Sequence, residues 1–169
     1  MNWRSTYLDL KTLRGIFRER RPCCGPRIAQ INISENCNLD CVMCNRSSMN
    51  VSGLIDGDRF LSLAGELYAL GTQELFFHGF GEPTCHPRLA EMILHCSANY
   101  PRLRLHLVTN GAWNSGTLDE AIMKGRVHTR FSIHAGDADT WRQIHPRDNP
   151  DSFFQTGKNL RRLAAFDPE

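Results

Sequence analysis

Short apolar segments alternate with amphipathic ones along most of this chain, beginning near residue 27. The apolar segments are rich in β-branched and aromatic side chains, which is typical of buried strands. The amphipathic segments repeat their apolar positions every three or four residues, which is typical of helices packed on a sheet. The pattern predicts strands at residues 27–34, 73–78, 103–108 and 130–134. It predicts helices at residues 58–70, 87–99, 118–124, 138–144 and 152–166.

This regular alternation of strands and helices predicts an α/β fold. Consecutive strands joined by helices run parallel and are connected by right-handed crossovers. The loops that follow parallel strands then meet at the carboxyl edge of the sheet, where α/β proteins carry their functional sites. We therefore look for candidate chemistry in the segments directly after each predicted strand.

The first 26 residues are predicted to form a separate N-terminal helix and linker, and residues 27–169 the core. Arginines cluster toward the end of the predicted helix, which suits a helix C-terminus, and prolines in residues 22–26 then break the chain. We interpret the basic end as a solvated surface rather than a membrane or anionic-partner surface. Apolar residues recur at three- and four-residue steps at Trp3, Tyr7, Leu10, Leu13 and Phe17.

Composition narrows the class of protein. A chain of 169 residues with 41% hydrophobic content can bury one core, and its formal net charge of +2 is close to neutral. No extended basic tract favours nucleic-acid binding, and no apolar run is long enough to span a membrane. The N-terminus lacks the apolar region of a signal peptide. We therefore expect a cytoplasmic protein without a nucleic-acid or membrane partner, whose seven cysteines stay reduced.

Three cysteines after the first predicted strand carry the strongest chemical signal. Cys37, Cys41 and Cys44 have the spacing CxxxCxxC on one short segment. Thiolates at such spacing are typical metal ligands, and three protein ligands leave one coordination position open for chemistry. Because no second CxxC pair is present, the spacing alone leaves an iron–sulfur cluster and a zinc ion as equal alternatives. In the zinc alternative, Cys85 is the candidate fourth ligand.

A second candidate functional loop follows the second predicted strand and has the sequence GFGEP at residues 79–83. Its two glycines allow the backbone to approach a ligand closely. Glu82 precedes a proline, which favours an extended conformation and exposes its carbonyl group. Such a loop can offer backbone acceptors to an ammonium group.

Taken together, these segments resemble the radical S-adenosylmethionine (radical SAM) superfamily over residues 29–144. CNLDCVMC at residues 37–44 is similar to the cluster loop of that family, and GFGEP is similar to its methionine-binding loop. TNG at residues 109–111 and FSIHAGDADTWRQIH at residues 131–145 follow in the family's order. The resemblance implies a partial (β/α) barrel, of which this chain contains about four βα units.

The resemblance also implies which residues bind the cofactors. Cys37, Cys41 and Cys44 would each bind one iron of a 4Fe–4S cluster, and S-adenosylmethionine would chelate the fourth iron. Met43 would lie beside the adenine, and the GFGEP loop would hold the methionine amino group. The strand ends would contact the ribose, the carboxylate or the substrate, with His134 standing where relatives often carry Asp. The implied cofactor-binding residues are Met43, Phe80, Gly81, Glu82, Thr109, Asn110, Ser132 and His134.

The chemistry implied by the resemblance is radical catalysis. One electron from the reduced cluster would split S-adenosylmethionine, and the resulting 5′-deoxyadenosyl radical would abstract hydrogen from an unidentified substrate. The implied partner is a low-potential electron donor such as flavodoxin or ferredoxin.

The family core has six βα units, and residues 27–166 hold about four of them, since each unit takes about 30 or more residues. We therefore expect an incomplete core domain that lacks strands five and six. The alternative to an active enzyme is a non-catalytic or split-enzyme fragment that acts as a binding or assembly partner.

The remaining cysteines and several histidines receive no functional role from the sequence. Cys85 and Cys96 are expected to be small buried side chains, and the adjacent Cys23 and Cys24 a linker pair. The unassigned histidines are His86, His95, His106 and His128.

Overall fold

The computed structural model describes residues 25–49 and 51–165, together with Phe17. The predicted N-terminal helix and the Cys23-Cys24 pair lie outside the described residues. None of the helices in the described ranges is long and apolar enough to cross a membrane.

Four parallel strands form one sheet, in which each strand pairs with its neighbours in chain order. Helices follow the strands, as the predicted α/β alternation requires, and the order 1-2-3-4 is that of consecutive units of a (β/α) barrel. The predicted partial barrel is confirmed. The strands are β1 (Ile28–Ile31), β2 (Glu74–Phe77), β3 (Arg104–Thr109) and β4 (His128–Phe131). The helices are α1 (Gly57–Ala69), α2 (Leu89–Asn99), α3 (Gly116–Lys124), α4 (Ala138–Ile144) and α5 (Asp151–Ala164).

The fourth strand differs from its prediction. We predicted residues 130–134, whereas β4 begins at His128 and ends at Phe131. Arg126 has a φ of 49°, so the chain turns sharply after α3 and enters the sheet earlier than its apolar pattern indicated. Ser132 and His134 consequently lie beyond the strand rather than at its end. The amide of Ser132 still donates to the Thr109 carbonyl at 2.8 Å, which holds this segment beside β3.

The first strand is also shorter than the predicted 27–34, because the chain leaves the sheet after Ile31. Ser34 instead forms an isolated antiparallel bridge with Leu54. Helix bounds agree with the predictions to within two residues, and side-chain caps explain three of the starts, among them those of α3 and α4. Asp137 accepts from the amide of Thr140 at the start of α4, and Ser115 accepts from the amide of Leu118 at the start of α3.

The hydrophobic core lies on one face of the sheet, between the strands and helices α1 to α3. Strand residues on this face alternate with exposed or half-buried ones, so that in β3 every second residue from Leu105 is buried. Phe77 is completely buried and stacks on Phe60 of α1 with ring centroids 5.5 Å apart. Other core residues from the helices are Ala64, Met92, Ile93, Cys96, Ala121 and Ile122.

The opposite face of the sheet, which we call the inner face, is polar. In the described part of the chain no helix covers it, and most of its residues are exposed or half-buried. In a closed barrel this face would line the interior. It carries Gln30, Glu74, Phe76, Arg104, His106, Val108, His128 and Arg130.

Removing a core ring should destabilise the fold. Phe77→Ala removes a wholly buried ring together with its stacking contact on Phe60. We therefore expect the free energy of unfolding to fall by about 3–5 kcal/mol. Urea denaturation followed by circular dichroism measures this loss. Phe154→Ala is the matched control, since Phe154 is 62% exposed and its removal should cost less than about 1 kcal/mol. Equal losses in the two variants would contradict this placement of the core.

Candidate functional site

A buried carboxylate joins the loops that follow β2 and β3. Glu82 is only 3% exposed, and its backbone is extended, as predicted for a residue before proline. Its side chain accepts hydrogen bonds from the Thr109 hydroxyl at 2.6 Å, the Asn110 amide at 2.7 Å and the Thr84 amide at 3.1 Å. Burial raises the pKa of this carboxyl group, while the three hydrogen bonds oppose that rise. The carboxylate therefore fixes the end of β3 against the GFGEP loop.

The same loop is bonded to the segment that enters the cysteine loop, residues 37–44. The amides of Gly81 and Glu82 donate to the carbonyls of Ser34 at 3.1 Å and Asn36 at 2.8 Å. A side chain at Gly81 would collide with both of these carbonyl oxygens. Glycine is thus required here by the close approach of two backbones. The carbonyl of Glu82, which we expected to be exposed, accepts from the amide of Cys85 at 3.0 Å.

Asn110 brings the end of β3 to the cysteine loop. Its side-chain nitrogen, Nδ2, donates to the side-chain oxygen of Asn38 at 2.8 Å and lies 3.9 Å from the sulfur of Cys37. Asn38 in turn donates to the carbonyl of Ala112 at 2.7 Å. A hydrogen-bond donor beside a sulfur is one of the features that tune iron–sulfur clusters in proteins.

The other side of the cysteine loop is fixed by the segment around α4. The amide of Val42 donates to the Ile144 carbonyl at 2.9 Å, and the amide of Asp40 donates to the Asp148 carboxylate at 2.8 Å. Beneath the loop, Leu39 packs in a small apolar cluster with the buried Trp141. The loop is therefore held from β3 on one side and from α4 on the other.

The three cysteines of the loop influence each other electrostatically. Cys37 and Cys41 are half-buried, whereas Cys44 is exposed. Burial, and then the negative charges of Cys37 and Cys44, raise the pKa of Cys41 to about 11. Burial also raises the pKa of Cys37. Metal ligands are thiolates, so binding an iron–sulfur cluster here would release protons.

Zinc and an iron–sulfur cluster place different demands on the three thiols of the cysteine loop. In the part of the chain that the structure describes, no three His, Cys, Asp or Glu side chains are placed to hold one metal ion. Zinc needs all of its sulfur ligands about 2.3 Å from one point. A 4Fe–4S cluster is larger and takes thiolates on separate irons. Both groups are bound by thiolates of the kind that this loop carries.

Cys85 lies near the loop but is half-buried in the turn after Pro83. Burial, followed by the charges of Glu82 and Cys37, raises the pKa of Cys85 to about 11. Cys96 is completely buried in α2, as expected for a core residue.

The other predicted cofactor residues differ in exposure. Met43 and Phe80 are 55% and 61% exposed. His134 is exposed beyond β4, and Ser132 is half-buried. Among the predicted residues, Asn110 contacts the cysteine loop directly. Gly81 and Glu82 bind the segment that enters the loop, and Thr109 is joined to that segment through Glu82.

Sequence analysis missed several residues that support the site. Asn159 of α5 is buried and donates to the carbonyls of Gly111 at 2.8 Å and Trp113 at 2.7 Å, which fixes the loop after β3. Asn38 stands at a variable position of the cysteine motif. Asn38 could have been considered because of its position between ligands, but nothing in the sequence indicated Asn159.

The sequence profile of the radical SAM superfamily matches residues 31–165, which is well over half of the chain. The chain belongs to the radical SAM superfamily. This family uses a 4Fe–4S cluster and S-adenosylmethionine, which agrees with the donors found on the cysteine loop.

Two curated relatives are named GTP 3′,8-cyclase. The protein from Chlorobaculum tepidum is 27% identical over 137 residues, which is 80% of this chain and 40% of the relative. The protein from Rhodococcus opacus is 24% identical over 127 residues, covering 72% of this chain and 36% of the relative. The chain thus spans less than half the length of these relatives.

Solved radical SAM structures share the fold at low sequence identity. SuiB of Streptococcus suis bound to S-adenosylmethionine matches with a TM-score of 0.72 and 15% identity, covering 96% of this chain and 37% of SuiB. BtrN in complex with AdoMet and 2-DOIA matches with a TM-score of 0.58 and 20% identity, covering 76% of this chain and 54% of BtrN. These likenesses agree with the partial barrel.

Replacing the buried carboxylate by its amide should loosen the site. In Glu82→Gln the new NH₂ group must face one of three hydrogen-bond donors, so we expect the free energy of unfolding to fall by about 1–3 kcal/mol. Urea denaturation of the protein without cluster measures the change.

Glu120→Gln is the control for this substitution. Glu120 forms only an exposed ion pair with Lys124, so its amide should change the free energy of unfolding by less than about 1 kcal/mol. A Glu82→Gln variant as stable as Glu120→Gln would show that the carboxylate does not hold the loops together.

Proposed function

We propose that this chain is a radical SAM enzyme core that holds a 4Fe–4S cluster on Cys37, Cys41 and Cys44. The observation that carries the proposal is the convergence of the loops after β2 and β3, through Glu82 and Asn110, on the segment that leads into and bears the three thiols. The proposal assigns residues 27–169 to this core and residues 1–26 to a preceding helix and linker.

When bound, the cluster and S-adenosylmethionine together would supply reductive cleavage of the cofactor and a 5′-deoxyadenosyl radical that abstracts hydrogen from the substrate. Within this proposal the protein's own residues have distinct tasks. Gly81 lets the GFGEP loop pack on the segment that enters the cysteine loop, and from there the loop would hold the methionine amino group. Asn110 directs a donor at the Cys37 sulfur. Glu82 and Thr109 act through Asn110 and the loop, and they are positioning residues.

The exposed side chains around the centre are proposed to contact the rest of the cofactor. Met43 supplies a polarizable apolar surface for the adenine. Phe80 flanks the opening from the GFGEP loop. Ser132 and His134, on the segment beyond β4, are available for the ribose, the carboxylate or the substrate.

A low-potential flavodoxin or ferredoxin is the proposed electron donor. Cys44 and its neighbour Met43 are exposed at the edge of the cysteine loop, which brings a cluster ligand close to the surface where such a donor can approach. A cytoplasmic location is consistent with this reducing chemistry and stays a prediction.

Electron paramagnetic resonance tests the proposal directly. The full chain is reconstituted anaerobically with iron and sulfide, reduced with dithionite, and measured with and without S-adenosylmethionine. We expect a 4Fe–4S signal that shifts when S-adenosylmethionine binds the open iron. A cluster that ignores S-adenosylmethionine would favour the alternative of a non-catalytic or split-enzyme fragment. A colourless protein that contains zinc would contradict the iron–sulfur assignment.

Substitution of single cysteines tests the ligand assignment. Cys41→Ala removes one of the three proposed ligands, so we expect most of the bound iron and the visible absorbance of the cluster to be lost. Cys96→Ala is the matched control because Cys96 is buried in the core away from the loop, and it should retain the cluster. Iron analysis and absorbance spectra compare the two reconstituted variants. Equal loss of iron in both would overturn the assignment.

A further inference from the structure

Two charged side chains in the turn between α4 and α5, residues 145–150, contact the middle of the cysteine loop. The carboxylate of Asp148 accepts from the backbone amide of Asp40 with both oxygens, at 2.8 and 3.1 Å. Arg147 donates to the side-chain carboxylate of the same residue, Asp40, at 2.7 Å. The turn therefore holds Asp40 at its amide and at its carboxylate. Because Cys41 is the next residue in the chain, this contact lies one residue from a proposed cluster ligand.

The turn is itself anchored in the fold. The amide of Asp148 donates to the carbonyl of His145 at 3.2 Å, which closes the turn. The buried Trp141 of α4 donates from Nε1 to the hydroxyl of Ser152 in α5 at 2.8 Å, so the two helices that flank the turn are joined. The ring of Trp141 also packs in the apolar cluster that contains Leu39 of the cysteine loop. The carboxylate of Asp148 is thus fixed in position relative to that loop.

The negative charge of Asp148 acts on the nearby Cys41. Burial is the first cause that raises the pKa of the Cys41 thiol, and the charges of the other two thiolates and of Asp148 raise it further. In the part of the chain that the structure describes, no cation forms an ion pair with Asp148, and the neighbouring Arg147 pairs with Asp40 instead. The charge of Asp148 therefore acts on any group that Cys41 binds.

We propose that Asp148 positions Cys41 for cluster binding and that its negative charge lowers the reduction potential of the bound cluster. The inference rests on the proposed function, because it needs a 4Fe–4S cluster on Cys37, Cys41 and Cys44. A cluster that gives an electron to a sulfonium needs a low potential, and the charges and hydrogen bonds around a cluster set that potential. Asp148 supplies such a charge from outside the cysteine loop, 108 positions after Asp40.

A purely structural role for Asp148 would not need a charge. An asparagine side chain offers the amide of Asp40 the same kind of acceptor oxygen and does not repel thiolates. The carboxylate instead places a like charge beside the thiolates, which disfavours them in the protein without a cluster. An effect on the potential of the bound cluster explains a charge at this position.

An isosteric substitution separates the charge of Asp148 from its hydrogen bond. Asp148→Asn keeps an acceptor for the amide of Asp40 and removes the negative charge, so the cluster should load normally and become easier to reduce. We expect the one-electron reduction equilibrium to shift about tenfold, which is a rise of about 59 mV in the midpoint potential. Potentiometric titration of the anaerobically reconstituted full chain, followed by electron paramagnetic resonance, measures this potential. A midpoint potential equal to that of the wild type would overturn the inference.

Two further variants test whether the place and the sign of the charge matter. Arg147→Gln removes a positive charge from the same turn and should lower the potential, by less than Asp148→Asn raises it because the Arg147 side chain is 78% exposed. Glu120→Gln is the matched control for the loss of one negative charge, since the exposed Glu120 pairs with Lys124 on α3, and it should leave the potential unchanged. Equal shifts in Asp148→Asn and Glu120→Gln would overturn the inference.

Asp148→Ala tests the positioning role, because it removes the acceptor together with the charge. The amide of Asp40 then loses its partner, so we expect a chelator to remove iron about tenfold faster than from Asp148→Asn. Urea denaturation of both variants without cluster checks that Asp148→Ala is folded. Equal rates of iron loss in the two folded variants would overturn the positioning role, and the potential of Asp148→Asn tests the electrostatic role independently of this variant.

The response of the cluster to S-adenosylmethionine distinguishes this inference from the proposed function. A chain whose cluster responds to S-adenosylmethionine, while Asp148→Asn leaves the potential unchanged, contradicts the inference alone. A chain that shows the expected shift in potential but ignores S-adenosylmethionine supports the inference and contradicts the proposed function. A chain that forms no cluster contradicts both.

Discussion

The buried carboxylate of Glu82 is the constraint on which the rest of the site depends. A carboxylate out of contact with water is costly unless donors surround it, and here Thr84, Thr109 and Asn110 supply them. Those donors belong to two different loops, so satisfying one charge fixes the end of β3 against the GFGEP loop. The same charge disfavours free thiolates at Cys37. A bound group of positive charge would relieve that repulsion, which suits a site for iron and a sulfonium.

Much of the fold could be predicted because it follows from local patterns. The alternation of buried and exposed residues in β3 identifies a strand without reference to any partner. The gathering of the three loops at one edge follows from parallel strands alone. The start of β4 could not be predicted in this way, since it depends on a left-handed conformation at Arg126, whereas the glycine that would be expected to adopt it, Gly125, stands one position earlier and is helical.

The residues of the site likewise fall into those that the sequence alone identifies and those that only the folded structure reveals. Cys37, Cys41 and Cys44 stand out because their spacing is itself the signal. The partnership of Glu82 with Thr109 joins residues 27 positions apart, and that of Asn159 with Gly111 joins residues 48 apart. Only tertiary packing creates such pairs. His106 and His128 appeared scattered in the sequence for the same reason, because the register of two strands is needed to bring their rings together.

The two faces of the sheet have different roles: the face packed on the helices stabilises the fold, whereas the inner face contributes little to stability. Apolar residues such as Phe77 and Leu107 are buried against the helices, and this burial supplies the main driving force for folding. Side chains on the inner face alternate with them along the same strands, yet they bury little apolar area. Their identity is therefore hardly constrained by the folding of this sheet.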